Sequence, residues 1–115
     1  EGARMEEVLY DTSALINLLK NGKLVARGFT TILNIVEFPK ALDLKELGIL
    51  YPTIEDYDEA LKIAVSLIKI GKPVPAIDIV ISAVCLRRGL LLLTADAHFT
   101  HIKSIKSEFN VKLIE

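Results

Sequence analysis

The sequence has no tryptophan and, in 115 residues, only one cysteine and one methionine. Glutamine is absent as well. A lone Cys85 excludes a disulfide framework and a multi-cysteine zinc site within one chain. It suits a reducing compartment, so a cytoplasmic location is expected. Few thermolabile residues alongside many Lys, Glu and Ile point to a thermophilic source. Charge of one sign is also lacking: 14 basic and 15 acidic residues leave a net charge of −1. That excludes a free-standing basic nucleic-acid binder, and any contact with nucleic acid must depend on local placement of charge. Apolar runs stop well short of the ~18–20 residues of a membrane span, so no membrane partner is expected. There is no internal repeat, no low-complexity tract and no G-x-G-x-x-G fingerprint of a dinucleotide fold.

What the chain does have is apolar side chains, 51% of the total. Leu, Ile and Val alone exclude a disordered chain. The length suits one domain that buries roughly 60–70% of its unfolded surface. So high an apolar share in so short a chain requires a core covered on two sides or an exposed interface. Glu1-Gly2-Ala3-Arg4 precedes the only methionine, Met5, and is expected to lie outside a domain running over 5–115.

Short strand-like runs alternate with helical ones. Val8-Leu9-Tyr10 reads as a strand ending at Asp11, with Thr12 or Ser13 as the cap of a helix that stops at Asn21-Gly22. A second strand covers Arg27 to Thr30. The next helix runs from about Ile32 to Leu42, presents Leu33, Val36 and Ala41, and must tolerate or bend at Pro39. Ile49-Leu50-Tyr51 is a third short strand. Thr53 and Asp56 resemble a capping box for a helix to about Ile70, with Leu61, Ala64, Val65 and Ile68 as its buried stripe. After Pro73 and Pro75, a helix from Ala76 to Arg88 is stopped by Gly89. Leu90 to Leu93 reads as a strand covered on both faces, followed by a short helix over Ala97 to Ile105. Val111 to Ile114 is the last strand. Strands separated by helices imply right-handed crossovers and an α/β fold with a parallel sheet. Ligands of such sheets bind beyond the C-terminal strand ends.

Four acids interrupt apolar runs: Asp11, Glu37, Asp78 and Asp96. A buried carboxylate is costly unless paired, protonated or bound to a cation. Several together raise one another's pKa, a conflict that Mg²⁺ or Mn²⁺ removes. Each acid alone also has an ordinary role, such as a helix cap for Asp11 and Asp96, a solvated helix face for Glu37 or a dipole partner for Asp78. Four separate caps are a poorer account than one shared site.

The runs Leu-Tyr-Asp11-Thr-Ser-Ala-Leu-Ile, Thr-Thr-Ile-Leu-Asn-Ile-Val-Glu37, Pro-Ala-Ile-Asp78-Ile-Val-Ile-Ser-Ala and Leu-Leu-Thr94-Ala-Asp96-Ala-His-Phe together resemble a PIN domain, nearest to the VapC-type ribonuclease toxins and their archaeal relatives. The resemblance spans nearly the whole chain from Met5 and keeps the family's motif order. It implies a three-layer sandwich with a central parallel five-stranded sheet. It also implies metal-dependent hydrolysis of RNA, with Asp11, Glu37, Asp78 and Asp96 as catalytic and metal-binding positions. Asp11, Asp78 and Asp96 are expected as direct ligands. Glu37 would bind the metal, hold its water or act as a base. Thr12, Ser13 and Thr94 would orient the acids. A homodimer and an antitoxin protein are the implied partners. The chain departs from the pattern in being short between Glu37 and Asp78 and in having His98 where some relatives carry a further acid.

Ser82, one turn after Asp78, is expected to be a packed small residue, and Cys85 a core residue. His98 and His101 are expected in structural or exposed roles. Lys20, Lys23, Arg27, Arg87 and Arg88 are candidate RNA contacts, with solvated helix ends as the ordinary alternative. The competing function is a PIN scaffold that binds or regulates with little nuclease activity. A phosphoacceptor receiver is disfavoured because no Lys lies in or beside Leu90–Thr94. A haloacid-type phosphatase would want an acid where Ser13 stands.

Overall fold

The computed structural model describes residues 7–114; the Glu1–Arg4 segment and Met5 lie outside them. Five strands form one sheet: β1 (Val8–Tyr10), β2 (Val25–Thr31), β3 (Lys45–Leu50), β4 (Leu91–Thr94) and β5 (Val111–Leu113). Their order is β3-β2-β1-β4-β5, and every pairing is parallel. This is the expected three-layer α/β sandwich. The chain leaves β1 for the β2 side and later returns to place β4 on β1's other edge. The strand order therefore switches between β1 and β4, which opens a crevice at their C-terminal ends.

Helices α1 (Thr12–Lys20) and α2 (Ile32–Glu37) cover one face, with a 3-10 turn at Pro39–Asp43. Leu15, Ala26, Ile35, Ala41 and Leu44 form the core there. Helices α3 (Ile54–Lys69), α4 (Ala76–Arg88) and α5 (Phe99–Ile105) cover the other face, around Leu9, Ile63, Leu67, Ile81, Leu92 and Phe99. Cys85 belongs to this second core, as expected.

Several local expectations need correction. The helix expected over Ile32 to Leu42 breaks at Phe38, because Pro39 lacks an amide hydrogen to continue it. Val36 consequently faces out, and Ile35 takes the core position. The cap of α1 is Asp11, not Thr12 or Ser13: its carboxylate accepts from the Ala14 amide at 3.0 Å. β3 begins earlier than Ile49 and ends before Tyr51.

The largest correction concerns α3. Its Thr53–Asp56 capping box is present, but the buried face is Asp56, Ala60, Ile63 and Leu67. Leu61, Val65 and Ile68, expected to be buried, are exposed. The helix carries two apolar faces, and periodicity alone does not choose between them. The choice is fixed by Asp56, which is wholly buried at 0% exposure. Arg88 grips both its oxygens at 2.9 and 3.0 Å, and Arg87 donates to Oδ1 at 3.0 Å. Oδ2 also accepts the Thr53 amide at 2.8 Å. One carboxylate thus caps α3 and ties it to the end of α4 through charge-assisted bonds. The two guanidiniums hold its pKa far below the carboxylate range despite burial.

A carboxylate cleft at the strand switch

Register places Tyr10 beside Leu93, so the residues that follow β1 and β4 meet. The Asp11 amide extends the ladder to Leu93 O at 3.2 Å. Its side chain is 6% exposed. Oδ1 accepts from Ser13 Oγ at 2.7 Å and Oδ2 from Thr94 Oγ1 at 2.5 Å. Thr94, fully buried, accepts the Asp96 amide at 3.0 Å. Ser13 accepts the Ala95 amide at 2.9 Å. The two hydroxyls therefore clamp Asp11 and also shape the turn that carries Asp96. Ser13 and Thr94 are two of the residues expected to orient the acids, and both donate to the Asp11 carboxylate.

Glu37 reaches the cleft from the last residue of α2. Thr12 Oγ1 donates to its Oε1 at 2.6 Å. Thr12 in turn accepts from Asn34 Nδ2 at 3.0 Å. Asn34 is buried and closes a capping box with Thr31: its amide donates to Thr31 Oγ1 at 3.2 Å, and its Oδ1 accepts the Thr31 amide at 3.3 Å. Sequence reasoning missed Asn34, although Thr31-x-x-Asn34 and an amide inside Ile-Leu-Asn-Ile-Val both mark it. Asp78 enters from the opposite side in the first turn of α4, whose Pro75 cap offers no side-chain bond. Ser82 donates to the backbone oxygen of Asp78, not to its carboxylate, so it is the packed residue expected.

The cleft has a volume of about 640 Å³. Asp11, Thr12, Ser13, Asn34, Glu37, Asp78 and Asp96 line it together with Ile16 and the Pro75–Ile77 segment. All four predicted acids are thus brought to one cavity from four parts of the chain. Burial raises the pKa of Asp11, against the pull of its hydroxyl bonds. Asp78 rises to about 6, through burial first and then the charges of Asp96, Asp11 and Glu37. Asp96 is partly exposed; its Oδ1 accepts the His98 amide at 2.9 Å and has the His98 Nδ1 at the same distance, which places His98 at the rim. His101 stacks edge-on against His98.

The predicted RNA-contacting cations are not gathered here. Lys20 ends α1, ~13 Å along the helix from Asp11. Arg27, near the start of β2, pairs with Glu46 at 3.0 Å. Arg87 and Arg88 are committed to Asp56 at the far end of α4. Lys23 follows α1, again toward the opposite end of the sheet from the acids.

The donor set fits a hard cation. Among the described residues no three His, Cys, Asp or Glu side chains converge tightly enough to chelate one ion by themselves. Mg²⁺ does not require that, because it usually binds through one or two carboxylates and keeps several waters. Acids spread around a water-sized cleft suit such an ion.

No protein-family model matches the sequence, and no curated protein matches it. Solved structures do match. DNA-bound VapBC from Salmonella typhimurium aligns over 94% of this chain and 98% of that chain, at 17% identity and a TM-score of 0.74. VapBC-1 from nontypeable Haemophilus influenzae aligns over 92% and 96%, at 20% identity and a TM-score of 0.73. VapBC-5 from Mycobacterium tuberculosis, a member of the VapBC family of toxin-antitoxin systems, aligns over 96% and 99%, at 20% identity and a TM-score of 0.69. The chain has the PIN-domain fold. At these identities the likeness concerns architecture, and the chemistry of this PIN fold rests on its own residues. Among the described residues no helix is long and apolar enough to cross a membrane.

Proposed function

We propose that this PIN-fold chain is a Mg²⁺- or Mn²⁺-dependent endoribonuclease, acting as the toxin of a toxin–antitoxin pair. The observation that carries the reading is four carboxylates around one cleft, with Asp78 raised to about 6 by burial and by the other three. A fold that retains such repulsion at a strand switch point has a use for it. Asp11, Asp78 and Asp96 would hold the cation, one or two of them directly and the rest through its waters. When bound, it would neutralise the acids, polarise the phosphate and acidify a water for attack on phosphorus.

The chain's own groups supply the rest. Thr94 and Ser13 fix the Asp11 carboxylate in one orientation. Thr12 holds Glu37 through Oε1, and the second oxygen of Glu37 can orient the attacking water and take its proton. Water adds to phosphorus, one ester P–O bond breaks, and the departing oxygen takes a proton. His98, whose Nδ1 lies 2.9 Å from Asp96 Oδ1 at the rim, is a candidate donor for it. The exposed apolar side chains of Val36 and Leu42, on the α2 side of the cleft, support a protein partner such as an antitoxin.

The test is cleavage of single-stranded and structured RNA with Mg²⁺ or Mn²⁺, with EDTA, and with Asp11→Asn, which retains a capping side chain. Cleavage is expected only for the wild type with metal. Equal cleavage in all three conditions would overturn the assignment. The binding-module reading would be favoured if wild type bound the cation but cut no RNA.

A further inference from the structure

One wall of the carboxylate cleft is apolar. Ile16 stands four residues after Thr12, one turn further along the same face of α1, and lines the cleft with Thr12 and Ser13. It is 39% exposed, whereas its neighbour Leu15 is fully buried. Among the described residues Ile16 belongs to neither of the two cores. Pro75, Ala76 and Ile77 line the same cavity from the start of α4. Pro75 and Ala76 are exposed, and Ile77 is half-buried against the second core. The proline ring fixes φ at −56°, so this part of the wall is rigid before anything binds.

Neither the acids nor a cation between them needs such a surface. The four carboxylates repel every phosphate except one that the cation neutralises. A ribose presents hydroxyls, which gain nothing from isoleucine and proline. The part of a nucleotide that is uncharged and has broad apolar faces is its base. The cavity of about 640 Å³ is of the size that encloses a small organic group.

We propose that Ile16 and the Pro75–Ile77 segment form a platform for the base of one of the two nucleotides joined by the scissile phosphate, held by its flat face. This role rests on the nuclease reading of the cleft and adds to it how the substrate is positioned. A base lying against Ile16 must leave its place in the stack, so the nucleotide enters turned out from its neighbours. Every base has such a face, so the platform positions the nucleotide without reading its identity. The side-chain amide and hydroxyls that could read a base edge are already engaged: Asn34 with Thr31 and Thr12, Thr12 with Glu37, and Ser13 with Asp11.

The test is cleavage of a short RNA in which each nucleotide in turn is made abasic, once the cut site has been mapped. At one position beside the cut, loss of the base should lower kcat/KM at least about tenfold, while exchange of one base for another should change it less than about tenfold. In Ile16→Ala that abasic penalty should shrink at least about threefold, and Ile16→Phe should preserve or deepen it. Mn²⁺ affinity measured by calorimetry should be the same in wild type and both variants, which separates loss of the platform from damage to the acids. A flat abasic scan in a wild type that cuts RNA would overturn the platform alone. So would a penalty that Ile16→Ala leaves unchanged, or a preference of about a hundredfold or more for one base at that position, the mark of hydrogen-bond reading. A wild type that binds Mn²⁺ but cuts no RNA would overturn the platform and the nuclease reading together, and would leave the apolar wall to a protein partner.

Discussion

Asp78→Asn removes the charge that its surroundings tolerate least. In the folded chain this carboxyl keeps its proton up to about pH 6, against an ordinary value of 3.8. Burial is the main cause, followed by Asp96, Asp11 and Glu37; His98 acts weakly the other way. Between those two values the folded state holds the proton and the unfolded state has released it. Stability is therefore lost as pH rises through that window, and the loss is complete above it. Each tenfold change in proton affinity is worth about 1.4 kcal/mol, so a fully buried group would account for about 3 kcal/mol. Asp78 is half-exposed, and solvent screening reduces that to about 1–2 kcal/mol. Asparagine keeps the shape and loses the charge. In EDTA at about neutral pH the variant is expected to melt higher by roughly 4–10 °C. Its advantage should shrink to nothing at about pH 4, where wild-type Asp78 is already neutral. Thermal melts followed by circular dichroism across that range measure it. A variant no more stable than wild type near pH 7, or an advantage that persists unchanged at pH 4, would refute the electrostatic reasoning.

Other substitutions probe the supports of the site and the fold. Asp56→Ala leaves two guanidiniums and the Thr53 amide without their shared acceptor, and should lower stability by about 2–4 kcal/mol in urea melts at neutral pH. A loss under about 0.5 kcal/mol would show the buried cluster to be incidental. The Asp56 pairing stabilises only where the unfolded carboxyl is ionised, so wild type should lose this contribution as pH falls below about 4. Thr94→Val removes the donor to Asp11 and the acceptor for the Asp96 amide, and should destabilise by about 1–3 kcal/mol. It should also weaken Mn²⁺ binding measured by calorimetry, and an unchanged affinity would contradict the clamp. Gly28→Ala sets a Cβ 2.8 Å from Val8 Cγ2 at a φ of +155°. It should destabilise by about 2 kcal/mol or more in the same melts, and a neutral result would mean that β1 and β2 can part there.

Much of the site was legible in the sequence because its residues break local rules. Asp11, Glu37, Asp78 and Asp96 each interrupt an apolar run, and the strand-end placement of two of them followed from the alternating pattern. The parallel sheet was legible for the same reason, since Leu90–Leu93 and the strands around it are separated by helices of ordinary length. What stayed hidden depends on contacts between distant segments. Asn34 joins the cleft only because Thr12 lies against it across 22 residues. The buried face of α3 was misread because both faces are apolar, and Asp56, which looks solvent-bound, is drawn inward by Arg87 and Arg88 from 31 and 32 residues away. Those same arginines looked free to meet RNA. The high apolar share divides accordingly between two cores and the outer stripe of α3.

The central claim is that the four acids form one site for a hard divalent cation. Calorimetric titration of Mn²⁺ and Mg²⁺ into metal-free protein, with Asp11→Asn/Asp78→Asn as the comparison, tests it most directly. The account predicts saturable binding of one or two ions per chain, accompanied by proton release near pH 6 as Asp78 ionises, and loss of both signals in the double variant. Absence of saturable binding, or binding that the double variant retains in full, would contradict it.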